Sequence, residues 1–582
     1  MDKQFFFERN LLALSQKDPH LCSRLSGAQT TLGRYKFLDS RIGEPVPALV
    51  DSGGTAHPLH SLVNPRREGS RLIAAMTAPE GYTFTGGAGT GDAAADGYLV
   101  FFGLGGGFYP EAALEWQDIH HILVIDFDID AFAELLTSKE YVQLFNDPRF
   151  SLLIDPAMEV LEQYILDTYQ PVLHGGIRVI PLRPRTEFDR LLFGRAGDTV
   201  KAAIDRLAGD YSVQAYFGTR WFSNIIRNVF RAEKPETPLP PIRRAAICAA
   251  GPSLDAQIPI LAERRRDRFL IAADTALPAL LRQGLEPDAV VSIDCQHISY
   301  YHFMQGLPAG IPLFLDLASP PLLSSLTGNP RFFSGGHPLT RYISQVWRPF
   351  PALDTSGANV TYAALSLADY LGAADIELYG ADFSYPLGRT YARGAYIHPY
   401  FENRQNRLTP LEALASNFLY RSSAMKKIAH SGIPDSQGPG LWYYETPVLR
   451  NYREGLEAKA HTIGAKLTVI PGNGAPIAVP AQTAAVRFPS APIRLFSAGR
   501  ASMSAGEFLS NYREGIKALP PVKQNMACYI RELGEDAGQI LLTLLPGAAA
   551  LKRRQSCLNG REILEAARDY CLRELDFVLA RE

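Results

Sequence analysis

The sequence predicts an α/β protein of several domains, with a second α/β unit before a central parallel sheet and a mostly helical region after it. Three observations predict this class. Strand and helix patterns alternate through residues 245–400, a glycine-rich strand-turn-helix pattern begins at residue 98, and helical periodicity dominates residues 557–582. The 582 residues are enough for about three to four domains.

The composition is that of a soluble globular protein and argues against several other classes. Apolar residues make up 46% of the chain and charged residues 20%. The net charge of −2 gives no sign of a nucleic-acid partner or an acidic membrane surface. No apolar run is long enough to span a membrane, and residues 1–16 lack the apolar core of a signal peptide. The six cysteines are scattered without a CxxC pair, so we expect reduced thiols and a cytoplasmic protein.

Four regions are predicted along the chain. They are an N-terminal cap region (1–80), a Rossmann-like α/β domain (81–235), a central α/β domain (245–400) and a mostly helical C-terminal region (401–582) with one strand-like piece (466–477). Proline and charge in residues 233–244 are typical of an extended linker, and a second proline-rich stretch near residues 476–492 is expected to precede a terminal helical module. The amphipathic helices of that module either pack on the body or form a docking face for a protein partner.

The N-terminal α/β pattern resembles a nucleotide-binding unit without completing its motif. YLVFFGLGGG (98–107) is followed by HILVIDFDID (121–130), and Asp126 lies 19 positions after the last glycine. The loop is G-L-G-G-G, however, and not a full G-x-G-x-x-G. We expect packing or partner docking here rather than a second nucleotide or methyl-donor site. The alternating Asp126, Asp128 and Asp130 could hold a metal, but no histidine or further acid accompanies them.

The central domain opens with a turn suited to an anion. The apolar strand at 245–250 runs into Gly251, Pro252 and Ser253, and a helix follows. Glycine permits a sharp turn, proline presets the first helical turn, and the free N–H groups of a helix N-terminus attract negative charge.

Further polar residues follow the other predicted strands of this domain. Asp274, Asp294, Ser356 with Gly357, and Asp382 all lie at or just after predicted strand ends. One such residue alone is more often a helix cap. The set predicts a site, because the carboxyl ends of parallel strands meet at one edge of a sheet. Carboxylates there can accept from ribose hydroxyls or a base amine, while N–H groups hold phosphate.

These residues resemble the motility-associated (Maf) glycosyltransferases, which attach nonulosonic acids of the pseudaminic or legionaminic type to flagellin. The same segments are similar to CMP-sialic acid-dependent sialyltransferases and to 6-hydroxymethylpterin diphosphokinases of the MptE-like (DUF115) kind. The resemblance is strong over residues 245–400. It extends to flanks that favour the glycosyltransferase over the kinase, at residues 59–69, 98–114, 220–229 and 449–477.

The resemblance implies a central Rossmann-like, sialyltransferase-type domain that transfers a nonulosonic acid from a CMP-sugar to Ser or Thr of flagellin. The resemblance implies no required cofactor and no metal-ligating residue, and it leaves open whether the reaction needs a metal. The implied nucleotide-sugar-binding residues are Gly251, Pro252, Ser253, Asp274, Asp294, Ser356, Gly357, Asn359, Gly380, Asp382 and Phe383. Ala358-Asn359 departs from the commoner Gly-Ser pair, and Tyr385 comes one residue later than the sialyltransferase aromatic.

The implied reaction passes through an oxocarbenium-like state and leaves negative charge on CMP. Tyr385 and Tyr391 are the candidate hydroxyl donors to that phosphate. The acceptor hydroxyl needs a base, for which His398 is the first candidate. His297 and His302 are the weaker alternative bases, and Arg389, Arg393 and Arg404 are candidate partners of the sugar carboxylate. Two other functions stay open, an ATP- and Mg²⁺-dependent pterin diphosphokinase and a non-catalytic flagellin-binding adaptor.

Overall fold

The computed structural model describes residues 3–77, 97–234, 236–422, 424–430, 441–480, 495–523 and 526–581. The strands, in chain order, are β1 (Tyr35–Asp39), β2 (Pro45–Val50), β3 (Ala56–Pro58), β4 (Tyr98–Phe102), β5 (His121–Asp126), β6 (Phe150–Ile154), β7 (Ile177–Pro181), β8 (Arg244–Cys248), β9 (Phe269–Ala273), β10 (Ala289–Ser292), β11 (Leu313–Asp316), β12 (Pro330–Phe333), β13 (Asp375–Tyr379), β14 (Tyr385–Pro386), β15 (Lys426–Ala429), β16 (Trp442–Glu445) and β17 (Lys466–Val469).

The α-helices are α1 (Lys3–Ser15), α2 (Pro19–Ser26), α3 (Pro65–Thr77), α4 (Phe108–Leu114), α5 (Ile129–Leu135), α6 (Val142–Asn146), α7 (Met158–Thr168), α8 (Pro171–His174), α9 (Arg183–Phe188), α10 (Arg190–Arg231), α11 (Leu254–Arg264), α12 (Leu277–Arg282), α13 (Pro338–Val346), α14 (Val360–Tyr370), α15 (Ile397–Glu402), α16 (Leu411–Leu419), α17 (Pro447–Ala460), α18 (Ala505–Ala518), α19 (Met526–Glu532), α20 (Glu535–Arg554) and α21 (Gly560–Leu579). Short 3-10 helices cover Arg265–Asp267, Asp274–Ala276, His297–Phe303 and Pro321–Ser325.

The first of two compact units comprises Met1–Thr219 and Gly515–Leu572. Its parallel sheet has the order β6-β5-β4-β7, and a small antiparallel sheet is built from β1, β2 and β3. Successive residues of β4 enter different apolar clusters: Leu99 and Phe101 pack in one, Tyr98 and Val100 in the other. Side chains alternate across a strand, so this sheet is covered on both faces.

Two histidines of this unit are shielded from water. The Tyr98 ring stacks on that of His121 with centroids 4.4 Å apart, and His174 lies 6.4 Å from His121. Burial lowers the pKa of His121 from 6.5 to about 4. Burial, together with the nearby His121, lowers the pKa of His174 to about 3. Both imidazoles are therefore neutral in the folded protein at pH 7.

The second unit comprises Arg220–Glu514 and Arg573–Glu582 and holds a seven-stranded parallel sheet. Its order is β12-β11-β10-β9-β8-β13-β17. The chain winds outward from β8 in one direction through β9 to β12, and β13 then pairs with the other side of β8. The winding thus reverses between β8 and β13, and in open α/β sheets ligands bind at the carboxyl ends of strands beside such a reversal. A separate antiparallel sheet has the order β14-β16-β15.

The predicted α/β class is confirmed by these sheets. The strand-like piece at 466–477 contains β17, which lies at the edge of the sheet beside β13. Two strands in the region predicted as mostly helical, β15 and β16, were not predicted. Each is only four residues long, and β15 is largely exposed, so neither carries an apolar alternation.

The predicted domain boundaries remain predictions. The one placed between residues 80 and 81, and most of the proline-rich stretch near 476–492, lie outside the described residues. No helix in the part of the chain that the structure describes is long and apolar enough to cross a membrane.

Candidate functional site

The turn after β8 is held closed by a carboxylate from the turn after β13. Ser253 donates its backbone N–H to Asp382 Oδ2 at 2.8 Å, and Gly251 donates its own to Gly380 O at 2.8 Å. The Ser253 hydroxyl accepts from Asn473 N at 2.8 Å. The expectation of free N–H groups at this helix N-terminus is therefore not met, because Asp382 occupies the place of an anion.

Close packing at this turn requires glycine. A Cβ on Gly251 would collide with Asp382 Oδ2 and Gly380 O, and one on Gly474 would lie 2.5 Å from the Asp382 Cα. Gly380 has a φ of +63°, in the left-handed region that favours glycine. Burial raises the pKa of Asp382, while the hydrogen bonds from Ser253 oppose that rise. The predicted residues of both turns thus form one interlocked structure.

A second group of polar side chains follows β9 and β10 and is joined by two tyrosines that come after β14. We call Asp274, Asp294, His302, Tyr391 and Tyr396 the edge cluster. Asp274 is fully buried and accepts from Ser292 Oγ at 2.7 Å. His302 Nδ1 lies 3.1 Å from Asp274 Oδ2. The His302 and Tyr396 rings are 4.4 Å apart, and the Tyr396 and Tyr391 rings 5.8 Å apart.

The electrostatics of the edge cluster follow from burial. Burial raises the pKa of Asp294, and the nearby Asp274 carboxylate raises it further, while His302 lowers it. Burial also raises the pKa of Tyr391 and of Tyr396, so both phenols keep their protons and can donate hydrogen bonds. The cluster is tied to the first turn, because Ala392 N donates to Ala250 O at 2.9 Å.

The Thr355–Asn359 turn before α14 is a local hydrogen-bonded network. Asn359 caps the helix by accepting from Tyr362 N at 2.9 Å, and Ser356 Oγ donates to Asp354 Oδ1 at 2.7 Å. A Cβ on Gly357 would collide with the Tyr362 ring. Ala358 has a φ of +53°, in the left-handed region that favours glycine.

Asp354 directly precedes this turn and was not among the predicted site residues. It accepts from Tyr362 Oη at 2.7 Å and from Lys459 Nζ at 3.1 Å. Although burial acts in the opposite direction, these hydrogen bonds lower the pKa of Asp354. Asp354 is therefore an ionised anchor for Ser356.

The other predicted side chains lie on different elements and turns. Tyr385 is in β14 and pairs with Tyr444 of β16, while Phe383 sits in a tight turn with a φ of +42°. His398 lies in α15, with its Nε2 buried and without a hydrogen-bond partner among the described residues. His297 is exposed.

The three predicted arginines have partners within the protein. Arg389 forms an ion pair with Asp255, and Arg393 donates its backbone N–H to the same carboxylate at 2.9 Å. The Arg404 guanidinium lies 3.6 Å from the centre of the Tyr400 ring. None of these contacts places an arginine in the edge cluster.

Asp316 was also missed, although it repeats the pattern that predicted Asp274 and Asp294. It ends β11, is buried, and lies with its Oδ1 3.9 Å from His337 Nε2. Burial raises its pKa. An acid at the end of an apolar strand was the available signal. Within the described ranges, no group of three or more His, Cys, Asp or Glu is arranged to hold a metal ion.

Comparison with known proteins assigns the family. The model of the 6-hydroxymethylpterin diphosphokinase MptE-like family matches residues 223–388. An uncharacterized protein of Treponema pallidum (strain Nichols) is 35% identical over 141 residues, which are 24% of this chain and 67% of the relative. The chain belongs to the MptE-like family. A second uncharacterized protein of that organism is 32% identical over 160 residues, covering 27% of this chain and 54% of its own length. The chain thus spans only about half of that relative.

The fold extends this likeness to the whole chain. The solved structure of the MAf glycosyltransferase from Magnetospirillum magneticum AMB-1 superposes with a TM-score of 0.58, over 99% of this chain and 96% of that one. The two are 14% identical, so the likeness is one of fold. The predicted resemblance is confirmed for the MptE-like segment and for the architecture.

The glycine-rich loop of the N-terminal unit is filled by the protein's own side chains. Gly106 N donates to His60 Nε2 at 3.0 Å, and Leu104 N donates to Asp126 Oδ2 at 2.9 Å. Asp126 is buried beside Arg185, whose Nε donates to it at 3.0 Å. The groups that would meet a nucleotide here are engaged internally, which favours the packing interpretation.

The two other acids of that pattern are also engaged. Asp128 caps α5 by accepting from Ala131 N at 3.1 Å, and Asp130 accepts from Gln29 N at 2.8 Å. The three carboxylates thus serve separate local contacts.

Proposed function

We propose that this MptE-like protein is a glycosyltransferase. It moves a nonulosonic acid of the pseudaminic, legionaminic or sialic type from a CMP-sugar to serine or threonine hydroxyls of flagellin, in the cytoplasm. The observation that carries the proposal is the likeness of fold to the MAf glycosyltransferase over 99% of the chain. The polar residues at the carboxyl ends of β8, β9, β10 and β13 support it, since that is where open α/β sheets bind ligands.

The edge cluster supplies the groups that such a donor needs. Asp294 is the carboxylate we propose for the nucleotide. Asp274 is fully buried with both oxygens engaged by Ser292 and Thr275, whereas Asp294 is only partly buried and accepts from Gln296 N through Oδ1. Tyr391 is a protonated phenol that can donate to the leaving phosphate. We propose an indirect part for Ser253 and Asp382, which fix the turn after β8. The remaining predicted contacts, Gly251, Pro252, Ser356, Gly357, Asn359, Gly380, Phe383 and Tyr385, stay proposals.

Ligand binding by the purified full chain is the first test. CMP at a hundred times its dissociation constant is expected to stabilise the protein by about 2.7 kcal/mol, seen as a rise in melting temperature. UMP serves as the matched nucleotide, and EDTA tests for a metal requirement. Asp294→Ala should remove the shift with CMP, whereas Asp198→Ala, at an exposed position of α10, should keep it.

Transfer itself is measured with flagellin and CMP-linked pseudaminic, legionaminic and sialic acids, by CMP release and the mass of the modified flagellin. Sugar-dependent mass gain on flagellin is the expected result. Stabilisation by ATP with Mg²⁺ and diphosphorylation of 6-hydroxymethylpterin would replace the proposal with the kinase that the family description names. Binding of flagellin without a thermal shift from any nucleotide would instead support the non-catalytic flagellin-binding adaptor.

A further inference from the structure

His302 and Asp274 lie side by side in the protein interior, and the function proposed above gives this pair no role in the transfer. His302 lies in the 3-10 helix His297–Phe303, whereas the first predicted base, His398, lies in α15. Its Nδ1 is buried, lies 3.1 Å from Asp274 Oδ2, and has no other polar partner among the described residues. The two atoms are not aligned as a full hydrogen bond, which is common for catalytic pairs in the absence of substrate.

Asp274 is fixed in the orientation that faces His302. Ser292 Oγ donates to its Oδ2 at 2.7 Å, and Thr275 N donates to its Oδ1 at 2.6 Å. The carboxylate is fully buried. Once Nδ1–H aligns to donate to this carboxylate, the proton is held on Nδ1, and the Nε2 lone pair is left free to accept a proton.

Carboxyl and phenol groups lie around His302, and the Arg421 guanidinium lies near the phenols of Tyr391 and Tyr396. Asp274 and Asp294 come from the ends of β9 and β10, and Tyr396 packs its ring on the imidazole. The Asp274 carboxylate lies against the imidazole and would balance the positive charge that forms when Nε2 takes a proton. His398, in contrast, has a buried Nε2 that finds no hydrogen-bond partner among the described residues.

Resting on the proposed function, we propose that His302 is the general base of the transfer and Asp274 its positioning residue. His302 Nε2 removes the proton from the acceptor hydroxyl as that oxygen bonds to the anomeric carbon of the donor. The bond from that carbon to the phosphate oxygen breaks, and its electron pair leaves with CMP. The proton then passes from Nε2 to solvent, so the base is regenerated.

The test compares histidine variants of the full chain in the transfer assay. His302→Gln is expected to lower kcat by about 10²- to 10⁴-fold, the usual contribution of general base catalysis, with the CMP-induced thermal shift unchanged. His461→Gln, at an exposed position after α17, is the matched control and should keep wild-type kcat. Imidazole added to His302→Ala should restore part of the rate.

Asp274→Asn tests the positioning role. It should lower kcat more than it raises KM, because the tautomer of His302 is lost while the donor contacts remain. Wild-type kcat in His302→Gln, or loss of kcat in His398→Gln alone, would overturn the role of His302. Neither result would contradict the proposed glycosyltransferase function. Loss of the CMP shift in His302→Gln would overturn it as well, since His302 would then bind the donor. A wild-type protein that neither binds CMP nor transfers sugar would refute the proposed function itself.

Discussion

The buried imidazole of His121 makes the stability of the first unit depend on pH in a calculable way. The unfolded chain binds a proton at this side chain with the ordinary pKa of 6.5, and the folded chain only near 4. Stability is therefore complete above pH 6.5 and is lost as the pH falls from there towards 4. Between pH 7 and pH 5, these two values correspond to a loss of about 2 kcal/mol from His121 alone.

His121→Phe isolates this contribution, because phenylalanine keeps a ring stacked on Tyr98 and removes the titrating group. At pH 7 the variant should be less stable by about 1 kcal/mol, since the contact of His121 with the Tyr164 hydroxyl is lost. From pH 7 to pH 5 it should lose about 2 kcal/mol less than the wild type, which is about 30-fold in amide protection. Hydrogen exchange of β4 and β5 peptides measures this locally. His20→Phe, at an exposed position, is the control. An equal loss of protection in wild type and His121→Phe would refute the burial argument.

Three further substitutions test the turns of the second unit. Gly251→Ala should lower the melting temperature in calorimetry, because the new Cβ collides with Gly380 O, whereas Gly464→Ala meets open space and should leave it unchanged. Asp382→Ala should cost about 1–3 kcal/mol in urea unfolding by leaving the N–H of Ser253 without its acceptor, and wild-type stability would show that water replaces the carboxylate. Ala358→Gly should stabilise by about 0.5–1 kcal/mol, since it relieves a left-handed φ, and a destabilised variant would contradict that conformation.

The parts of the site that depend on local sequence could be predicted. Asp274 and Asp294 end apolar runs, and this pattern located both strands and their polar ends. These features depend on neighbouring residues, whose effects the sequence records directly.

The parts that depend on distant pairing could not be predicted. Asp382 was expected to face a ligand, but it contacts Ser253, 129 residues earlier in the chain. Arg389 was expected to be available to a sugar carboxylate, and Asp255 neutralises it instead. His302 was predicted only as a weaker alternative base, and in the structure it lies beside Asp274. Each of these contacts is set by how strands are ordered in the sheet, which local patterns do not encode.

The bond between Asn473 and Ser253 has a consequence for synthesis of the chain. The two residues are 220 positions apart. At the usual rate of translation, the turn after β8 leaves the ribosome roughly 10–45 s before its partner exists. Until β17 follows, β13 also presents an unpaired edge, the kind of surface on which nascent chains aggregate. During these tens of seconds the incomplete sheet of the nascent chain can associate with other nascent chains. The yield of the protein in cells should therefore depend on chaperone supply and growth temperature.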